Sequence, residues 1–265
     1  MEKSKYKYIY GPVSSWRIGK SLGIDPVSTA RKTCTFDCVY CQVGRTEVFP
    51  TEREVFVPTE ALLKEIRSLP AMELDYITFA GSGEPTLAKN LGEMIRGIRA
   101  LRKEKIAVIT NASLIDRPDV REDLLLTDRV EAKLDASSSV LFGNVNHPAA
   151  GITLVEIVDG LKAFRKVYRG HLTLQVMFVA SNKKDANGIM ALARGIQPDE
   201  IEVNTPLRAC AVKPLSPEEL EEITRAFRTA CGDKVPVRSV YESKREKSSP
   251  LCQASTDLRR GKECV

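Results

Sequence analysis

The chain has 265 residues, of which 43% are hydrophobic and 28% are charged, and its formal net charge is +5. These values are close to the averages for soluble globular proteins, so they exclude a disordered or fibrous chain and favour one large α/β domain. No stretch approaches the ~18 uncharged apolar residues of a membrane span, and the N-terminus lacks the apolar core of a signal peptide. We therefore expect a cytoplasmic protein without a membrane partner, and the mild basic charge is compatible with an RNA or nucleotide partner.

Short β-branched runs alternate with longer amphipathic segments along the chain, a pattern typical of βα units. The predicted strands lie within residues 22–30, 74–80, 105–110, 129–135, 171–179 and 200–204. The predicted helices are residues 59–69, 87–103, a short helix after Pro118, 154–168, 185–196 and 217–230. Because crossovers between parallel strands are right-handed, these units predict a six-stranded partial (β/α)6 barrel. A full eight-stranded barrel takes about 250 residues of complete units, which this chain does not offer.

The domain division follows from the same pattern. Residues 1–240 form the predicted barrel domain. Residues 241–265 are charged and lack sustained periodicity, and we expect a C-terminal tail or a lid over the barrel mouth.

Cysteine spacing gives the strongest chemical signal. The chain has seven cysteines, and in a protein without an export signal such residues favour metal ligation or catalysis over disulfides. Cys34, Cys38 and Cys41 are spaced as Cys-x₃-Cys-x₂-Cys in a short loop that follows the first predicted strand. A closed structural site uses four protein ligands, so three thiolates on an iron–sulfur cluster leave one iron open for chemistry. The alternatives are a zinc knuckle that borrows a distant fourth ligand, or unligated neighbouring cysteines.

The aromatic Tyr40 immediately before Cys41 makes this loop resemble the signature of the radical S-adenosylmethionine superfamily. The resemblance implies a [4Fe–4S] cluster on the three cysteines, with S-adenosylmethionine chelated to its open iron. It further implies that one electron, from a small donor such as ferredoxin or flavodoxin, cleaves the sulfonium C–S bond. The resulting 5′-deoxyadenosyl radical would abstract a hydrogen atom from the substrate.

A second motif agrees with this resemblance. Residues Gly81, Ser82, Gly83 and Glu84 follow the second predicted strand and resemble the superfamily's GGEP turn, with Ser82 in place of the second glycine. The resemblance implies that Glu84 and the neighbouring carbonyls bind the methionine ammonium group. Tyr40, and Asn111 and Asp135 at the ends of later strands, are further cofactor candidates, although the latter two could instead be turn residues bonded to local backbone.

The substrate is less constrained. Residues 10–25 and 204–208 are similar to the wyosine-forming subgroup, which acts on a guanine in tRNA, so RNA base modification is the first hypothesis. Candidate substrate contacts are His147, Gln175 and Arg208. The guanidinium of Arg208 suits an anionic substrate or the cofactor carboxylate, and a surface salt bridge is the alternative. Competing functions are an activase that abstracts hydrogen from a glycine of a partner protein, and a non-catalytic iron–sulfur or zinc protein.

The remaining cysteines offer a weaker signal. An auxiliary cluster would need the residues Cys210, Cys231, Cys252 and Cys264. Their spacings are long and contain no CxxC pair, and Cys231 ends an amphipathic helix, where a small buried hydrophobic residue is the usual interpretation. We expect no second cluster.

Overall fold

The computed structural model describes residues 5–50, 52–243 and 248–261. Its framework is one sheet of eight strands in sequence order, in which the first pair is antiparallel and every later pair is parallel. The strands are β1 (Ile9–Ser15), β2 (Gly19–Ile24), β3 (Tyr76–Phe79), β4 (Lys105–Thr110), β5 (Arg129–Lys133), β6 (His171–Met177), β7 (Glu200–Asn204) and β8 (Val237–Ser239). The sheet curls into an open half-barrel, and β1 and β8 are its two unpaired edges.

Helices connect the parallel strands. They are α1 (Thr59–Arg67), α2 (Leu91–Leu101), α3 (Pro118–Leu124), α4 (Ser139–Asn146), α5 (Leu154–Val167), α6 (Ala186–Ile196), α7 (Pro217–Cys231) and α8 (Gln253–Arg260). Three short 3₁₀ turns lie at Pro85–Leu87, Lys183–Asp185 and Gly232–Lys234. In the described part of the chain, no helix has the length and apolar character needed to cross a bilayer.

The α/β class and the open barrel match the prediction, but the count of six strands was wrong. The sequence of β1, IYGPVSS, has no run of β-branched residues and contains a Gly-Pro pair, so it carries no strand signal. Strand β8 has only three residues. The first predicted strand also ends earlier than expected, at Ile24, because the carboxylate of Asp25 accepts a hydrogen bond from the Ser28 backbone N–H at 2.9 Å and turns the chain.

Alternation along the strands separates two environments. Val130, Leu174 and Val203 belong to the apolar core between the sheet and the helices. Their strand neighbours on the other face, among them Glu131 and Gln175, are polar and point into the half-barrel, because successive side chains of a strand alternate between faces. The barrel interior is therefore polar, and it contains the sites described below.

The amino-terminal end of the barrel interior is filled by what we call the arginine–glutamate cluster. Its members are Arg17, Arg129, Arg238, Glu131, Glu200 and Glu202. The guanidinium of Arg129 lies 3.0 Å from a carboxylate oxygen of Glu200, 3.0 Å from Glu202 and 3.3 Å from Glu131. Burial, together with the adjacent carboxylate of Glu131, raises the pKa of Glu202 to about 8. Buried carboxylates at this end are thus bound to arginines of the same chain.

Arg238 joins the two open edges of the sheet at this end. Its guanidinium donates hydrogen bonds to the carbonyls of Trp16 and Arg17, in the turn between β1 and β2, the second at 3.0 Å. The guanidinium carbon also lies 5.8 Å from the centre of the Trp16 ring, within the range of a cation–π contact. The gap between β8 and the β1–β2 hairpin is therefore bridged by side-chain contacts rather than by strand pairing.

Candidate active site at the carboxyl ends of the strands

The loop that carries the three clustered cysteines is held by its neighbours rather than by regular structure. The backbone N–H of Cys34 donates to the carbonyl of Val48 at 3.1 Å, and Asp37 N–H donates to the carbonyls of Asn146 and His147, each at 3.1 Å. These bonds attach the loop to the segment after it and to the end of α4. The loop conformation is thus specified from outside the motif.

Each of the three sulfurs has an N–H donor beside it. The ammonium of Lys32 lies 3.1 Å from Cys41 Sγ, the amide of Asn146 lies 3.5 Å from Cys38 Sγ, and the amide of Asn111 lies 3.7 Å from Cys34 Sγ. Donors of this kind stabilise the thiolate form that binds iron. The three side chains therefore complement an anionic set of sulfur ligands.

The thiols fit a cluster better than a single ion. Burial raises the pKa of Cys34 to about 12 and that of Cys38 to about 11, so these two metal-free thiols are protonated at neutral pH and ligation must displace their protons. Within residues 5–50, 52–243 and 248–261, no three His, Cys, Asp or Glu side chains converge on one metal position. The three cysteines instead border a cavity of about 200 Å³, the cluster cavity, as ligands of separate iron corners would.

The glycine-rich turn after β3 forms the opposite wall of the cluster cavity. Gly81 has φ +123, and a Cβ there would lie 2.6 Å from the Asp25 carboxyl carbon. At Gly83 a Cβ would lie 2.0 Å from the carbonyl oxygen of Thr33, in the chain just before Cys34. Both positions therefore require glycine. Ser82 donates its hydroxyl to Asp25 at 2.8 Å, so the departure from GGEP contributes a bond that fixes the turn.

Glu84 is buried, and the chain itself occupies its carboxylate. One oxygen accepts from the N–H and hydroxyl of Thr86 and from the hydroxyl of Thr110, at 3.0, 2.7 and 2.6 Å. The other accepts from Asn111 N–H at 2.7 Å. Burial raises the pKa of Glu84 while these donors lower it. The carboxylate thus ties the glycine-rich turn to the end of β4.

Tyr40, Asp135 and Asn146 form a buried group behind the cysteines. The Tyr40 hydroxyl donates to Asp135, and the Asn146 amide donates to Tyr40 Oη at 3.2 Å and to Asp135 Oδ2 at 2.9 Å. Asp135 also accepts from the Met177 backbone N–H at 2.8 Å and pairs with Lys133 at 3.2 Å. Tyr40 borders the cluster cavity, whereas Asp135 is not among its lining residues.

Two further cavities lie inside the half-barrel. The inner cavity, of about 250 Å³, shares Tyr40, Cys41, Gly81 and Lys133 with the cluster cavity, so the two adjoin. The side cavity, of about 170 Å³, shares Arg17, Gln175 and Arg208 with the inner cavity, among other residues.

The predicted substrate residues fall in two places. Gln175 and Arg208 line both the inner and the side cavity. His147 is exposed at the end of α4, where it adopts a left-handed conformation with φ 42, and it is not among the lining residues of these cavities. The structure therefore brings two of the three together.

The remaining cysteines lie on separate elements. Cys210 follows β7 and packs near Tyr40, Cys231 ends α7 against the main core, and Cys252 immediately precedes α8. Cys264 lies outside the described residues.

Several functional candidates were missed from the sequence. Asp25 holds the glycine-rich turn and also pairs with Arg259 of α8 at 3.2 Å. This ion pair attaches the C-terminal helix to the site. Lys32 immediately precedes the cysteine motif, and its position could have suggested it. Asn146, the last residue of α4, could not have been chosen, because no motif or spacing distinguishes it from the neighbouring polar residues.

Comparison with known proteins agrees with this geometry. Residues 31–193 match the Radical SAM superfamily, and the chain belongs to it. It is therefore a radical S-adenosylmethionine enzyme, whose cofactors are a [4Fe–4S] cluster and S-adenosylmethionine.

Two relatives with higher sequence identity are named without an activity. The UPF0026 protein slr1464 of Synechocystis sp. is 42% identical over 88% of this chain and 86% of its own length. The UPF0026 protein MJ1312 of Methanocaldococcus jannaschii is 38% identical over 82% of this chain and 68% of its own length.

Solved structures share the fold at low identity. SuiB of Streptococcus suis bound to S-adenosylmethionine has a TM-score of 0.63 at 15% identity, covering 82% of this chain and 49% of SuiB. TYW1 with a lysine-pyruvate adduct bound has a TM-score of 0.62 at 16% identity, covering 79% of this chain and 73% of TYW1.

Proposed function

We propose that Cys34, Cys38 and Cys41 hold the cluster and that S-adenosylmethionine binds in the cluster cavity, beside the glycine-rich turn. When bound, the two cofactors supply a 5′-deoxyadenosyl radical that removes a hydrogen atom from the substrate. The observation that carries this proposal is that the cluster and inner cavities share lining residues, so a radical formed in one lies beside a substrate in the other.

The chain's own residues position the cofactors. Asn111 and Asn146 orient the thiolates through their amide N–H groups, and Glu84 fixes the turn whose backbone carbonyls accept from the methionine ammonium. Lys133 borders the cluster cavity, with its ammonium 4.8 Å from the centre of the Tyr40 ring, and its charge would pair with the methionine carboxylate. Asp135 acts through Tyr40 and Lys133 as a positioning residue.

The substrate class that we favour is a guanine nucleotide, as a base within tRNA. Three observations support it. The barrel interior is rich in arginine and lysine, and a protein named Probable GTP 3′,8-cyclase from Saccharolobus solfataricus is 24% identical over 70% of this chain and 57% of its own length. The N-terminal run also resembles the wyosine-forming subgroup.

Reduction of the cluster needs a partner, and we propose a small acidic electron donor of the ferredoxin or flavodoxin class. Arg31 and Arg45 are exposed on the cysteine loop, on either side of the three thiols. Exposed positive charges attract an acidic partner, so we expect the reduction rate to fall as salt is added.

The decisive experiment is anaerobic reconstitution followed by reduction. We expect iron to bind and S-adenosylmethionine to yield 5′-deoxyadenosine. Protein that bound iron but formed no 5′-deoxyadenosine would contradict the proposal. Mass spectrometry of tRNA nucleosides from cells with and without the gene tests the substrate, and an unchanged nucleoside profile would exclude tRNA.

A further inference from the structure

The inner and side cavities are lined by one sign of charge. Their basic lining residues are Arg17, Lys133, Arg208, Arg259 and Arg260, and none of their described lining residues is Asp or Glu. The carboxylates that pair with three of these cations, Glu131, Asp135 and Asp25, lie behind them rather than in the cavity wall. A narrow cavity with such a lining has a positive potential and attracts an anionic ligand.

Arg17 is held in a fixed position at this wall. Its Nη1 lies 3.1 Å from the carboxylate of Glu131, whose side chain is 0% exposed. Its Nε is buried and has no hydrogen-bond partner within the described residues. The guanidinium is therefore anchored through Nη1, and because 18% of the side chain is exposed it still presents N–H donors to the cavity that it lines.

Arg208 reaches the same region from the other side of the barrel. It lies in the loop after β7 and donates to the carbonyl of Arg260, the last residue of α8. Arg17 and Arg208 both line the inner and the side cavity. The two guanidinium groups thus belong to one lined space, although they come from opposite edges of the sheet.

The two arginines lie outside the lining of the cluster cavity. The cluster cavity has its own cations, Lys32 and Lys133, and neither Arg17 nor Arg208 is among its lining residues. A second anion-binding position beyond the cofactor therefore remains for the substrate.

We infer that Arg17 and Arg208 together bind an oxyanion of the substrate, a phosphate or a carboxylate, in the part of the inner cavity that the cluster cavity does not share. This inference rests on the proposed function. The planar guanidinium presents paired N–H donors that match the oxygens of either group.

The test uses reconstituted holoenzyme with saturating S-adenosylmethionine, titrated calorimetrically with inorganic pyrophosphate and, separately, with pyruvate. We expect saturable binding of one probe, weakened at least about tenfold by Arg17→Gln and by Arg208→Gln, since each removes charge-assisted hydrogen bonds. Tighter pyrophosphate binding would identify a phosphate-bearing substrate, and tighter pyruvate binding a carboxylate. The matched control is Arg225→Gln, an exposed arginine of α7.

The same variants separate this inference from the proposed function. Formation of 5′-deoxyadenosine without substrate should keep its KM for S-adenosylmethionine in both variants. A raised KM in both would assign the arginines to the cofactor and overturn the inference, as would unweakened probe binding. Wild-type protein that formed no 5′-deoxyadenosine would contradict only the proposed function. If Arg17→Gln lost iron or folded structure, Arg17→Lys and Arg208→Gln would decide.

Discussion

Both ends of the half-barrel interior contain buried charged groups, but the groups have different partners. At the amino-terminal end the carboxylates of Glu131, Glu200 and Glu202 are bound by arginines of the same cluster. At the carboxyl-terminal end Glu84 accepts from hydroxyl and backbone donors of Thr110 and Asn111 at the end of β4, and asparagine and lysine side chains donate to the sulfurs. At the amino-terminal end the charged groups pair mainly with one another, and Arg17 alone among them also lines the inner and side cavities. At the carboxyl-terminal end they surround the cluster cavity.

The comparison shows that a shifted pKa does not by itself mark an active site. Glu202 has a pKa raised to about 8, yet it lies among arginines outside the lining of the cluster, inner and side cavities. The distinguishing feature of the carboxyl end is instead that thiols and glycine backbone border a cavity. Changes at the two ends should therefore affect different measurements, chemistry at one end and stability at the other.

The largest effect is expected from Cys38→Ala. Removal of one of three thiolates should abolish iron retention and reduce 5′-deoxyadenosine formation to background, because the remaining two cysteines cannot hold three corners of a cluster. The iron content of the reconstituted variant and its yield of 5′-deoxyadenosine measure the two losses.

Cys231→Ala at the end of α7 is the matched control, and it should keep both iron and activity. A Cys38→Ala protein that still cleaved the cofactor would refute the assignment of the three ligands.

Arg129→Met tests the opposite end. The change leaves the buried acidic groups of Glu131, Glu200 and Glu202 without their shared cation, and loss of one partner of a buried ion pair costs about 3–5 kcal/mol of unfolding free energy. Urea unfolding measures this loss. The control Arg225→Met, on the exposed face of α7, should change the free energy of unfolding by less than about 1 kcal/mol. We expect 5′-deoxyadenosine formation per folded molecule to stay unchanged. A selective loss of that activity would show that the two ends are coupled.

Glu84→Gln should lower both the cofactor chemistry and the free energy of unfolding, each by less than the two changes above. An amide has one acceptor oxygen, so it cannot accept from Thr86, Thr110 and Asn111 together, and the glycine-rich turn loses its anchor. A hydrogen bond to a charged group contributes about 1.5–3 kcal/mol. We therefore expect the affinity for S-adenosylmethionine to weaken about tenfold or more. Cofactor titration of reconstituted protein measures it, with exposed Glu122→Gln as control. Unaltered affinity in a destabilised variant would show that the turn does not bind the cofactor.

Much of this organisation was readable from the sequence. The six predicted strands correspond to β2–β7, because each contains a run of apolar or β-branched residues long enough to identify. The strands β1 and β8 escaped notice because one is interrupted by Gly11 and Pro12 and the other is only three residues long. Helix α4 escaped because its sequence, SVLFGNVN, has a central glycine and two asparagines.

For the site, local motifs could be read but the contacts that support them could not. The cysteine loop and the glycine-rich turn are contiguous in sequence, so their spacing identified them. The contacts of Asn146 with Cys38 and of Arg259 with Asp25 join residues far apart in the chain. Such pairs follow from the tertiary fold, and a single sequence contains no periodic signal for them.

The pH dependence of Glu202 gives the smallest expected effect. Its pKa is raised from 4.5 to about 8 in the folded protein, so between these values the folded state binds more protons than the unfolded state. The free energy of unfolding should therefore fall as the pH rises from about 4.5 to about 8 and level off above that. Glu202→Gln mimics the protonated carboxyl group, so near pH 7 the variant should be almost as stable as wild type. At pH 9 it should be the more stable of the two, because wild type then buries an additional negative charge beside Glu131. Urea unfolding of both proteins at pH 6, 7, 8 and 9 checks this, and parallel stability profiles would show that Glu202 is already ionised at neutral pH.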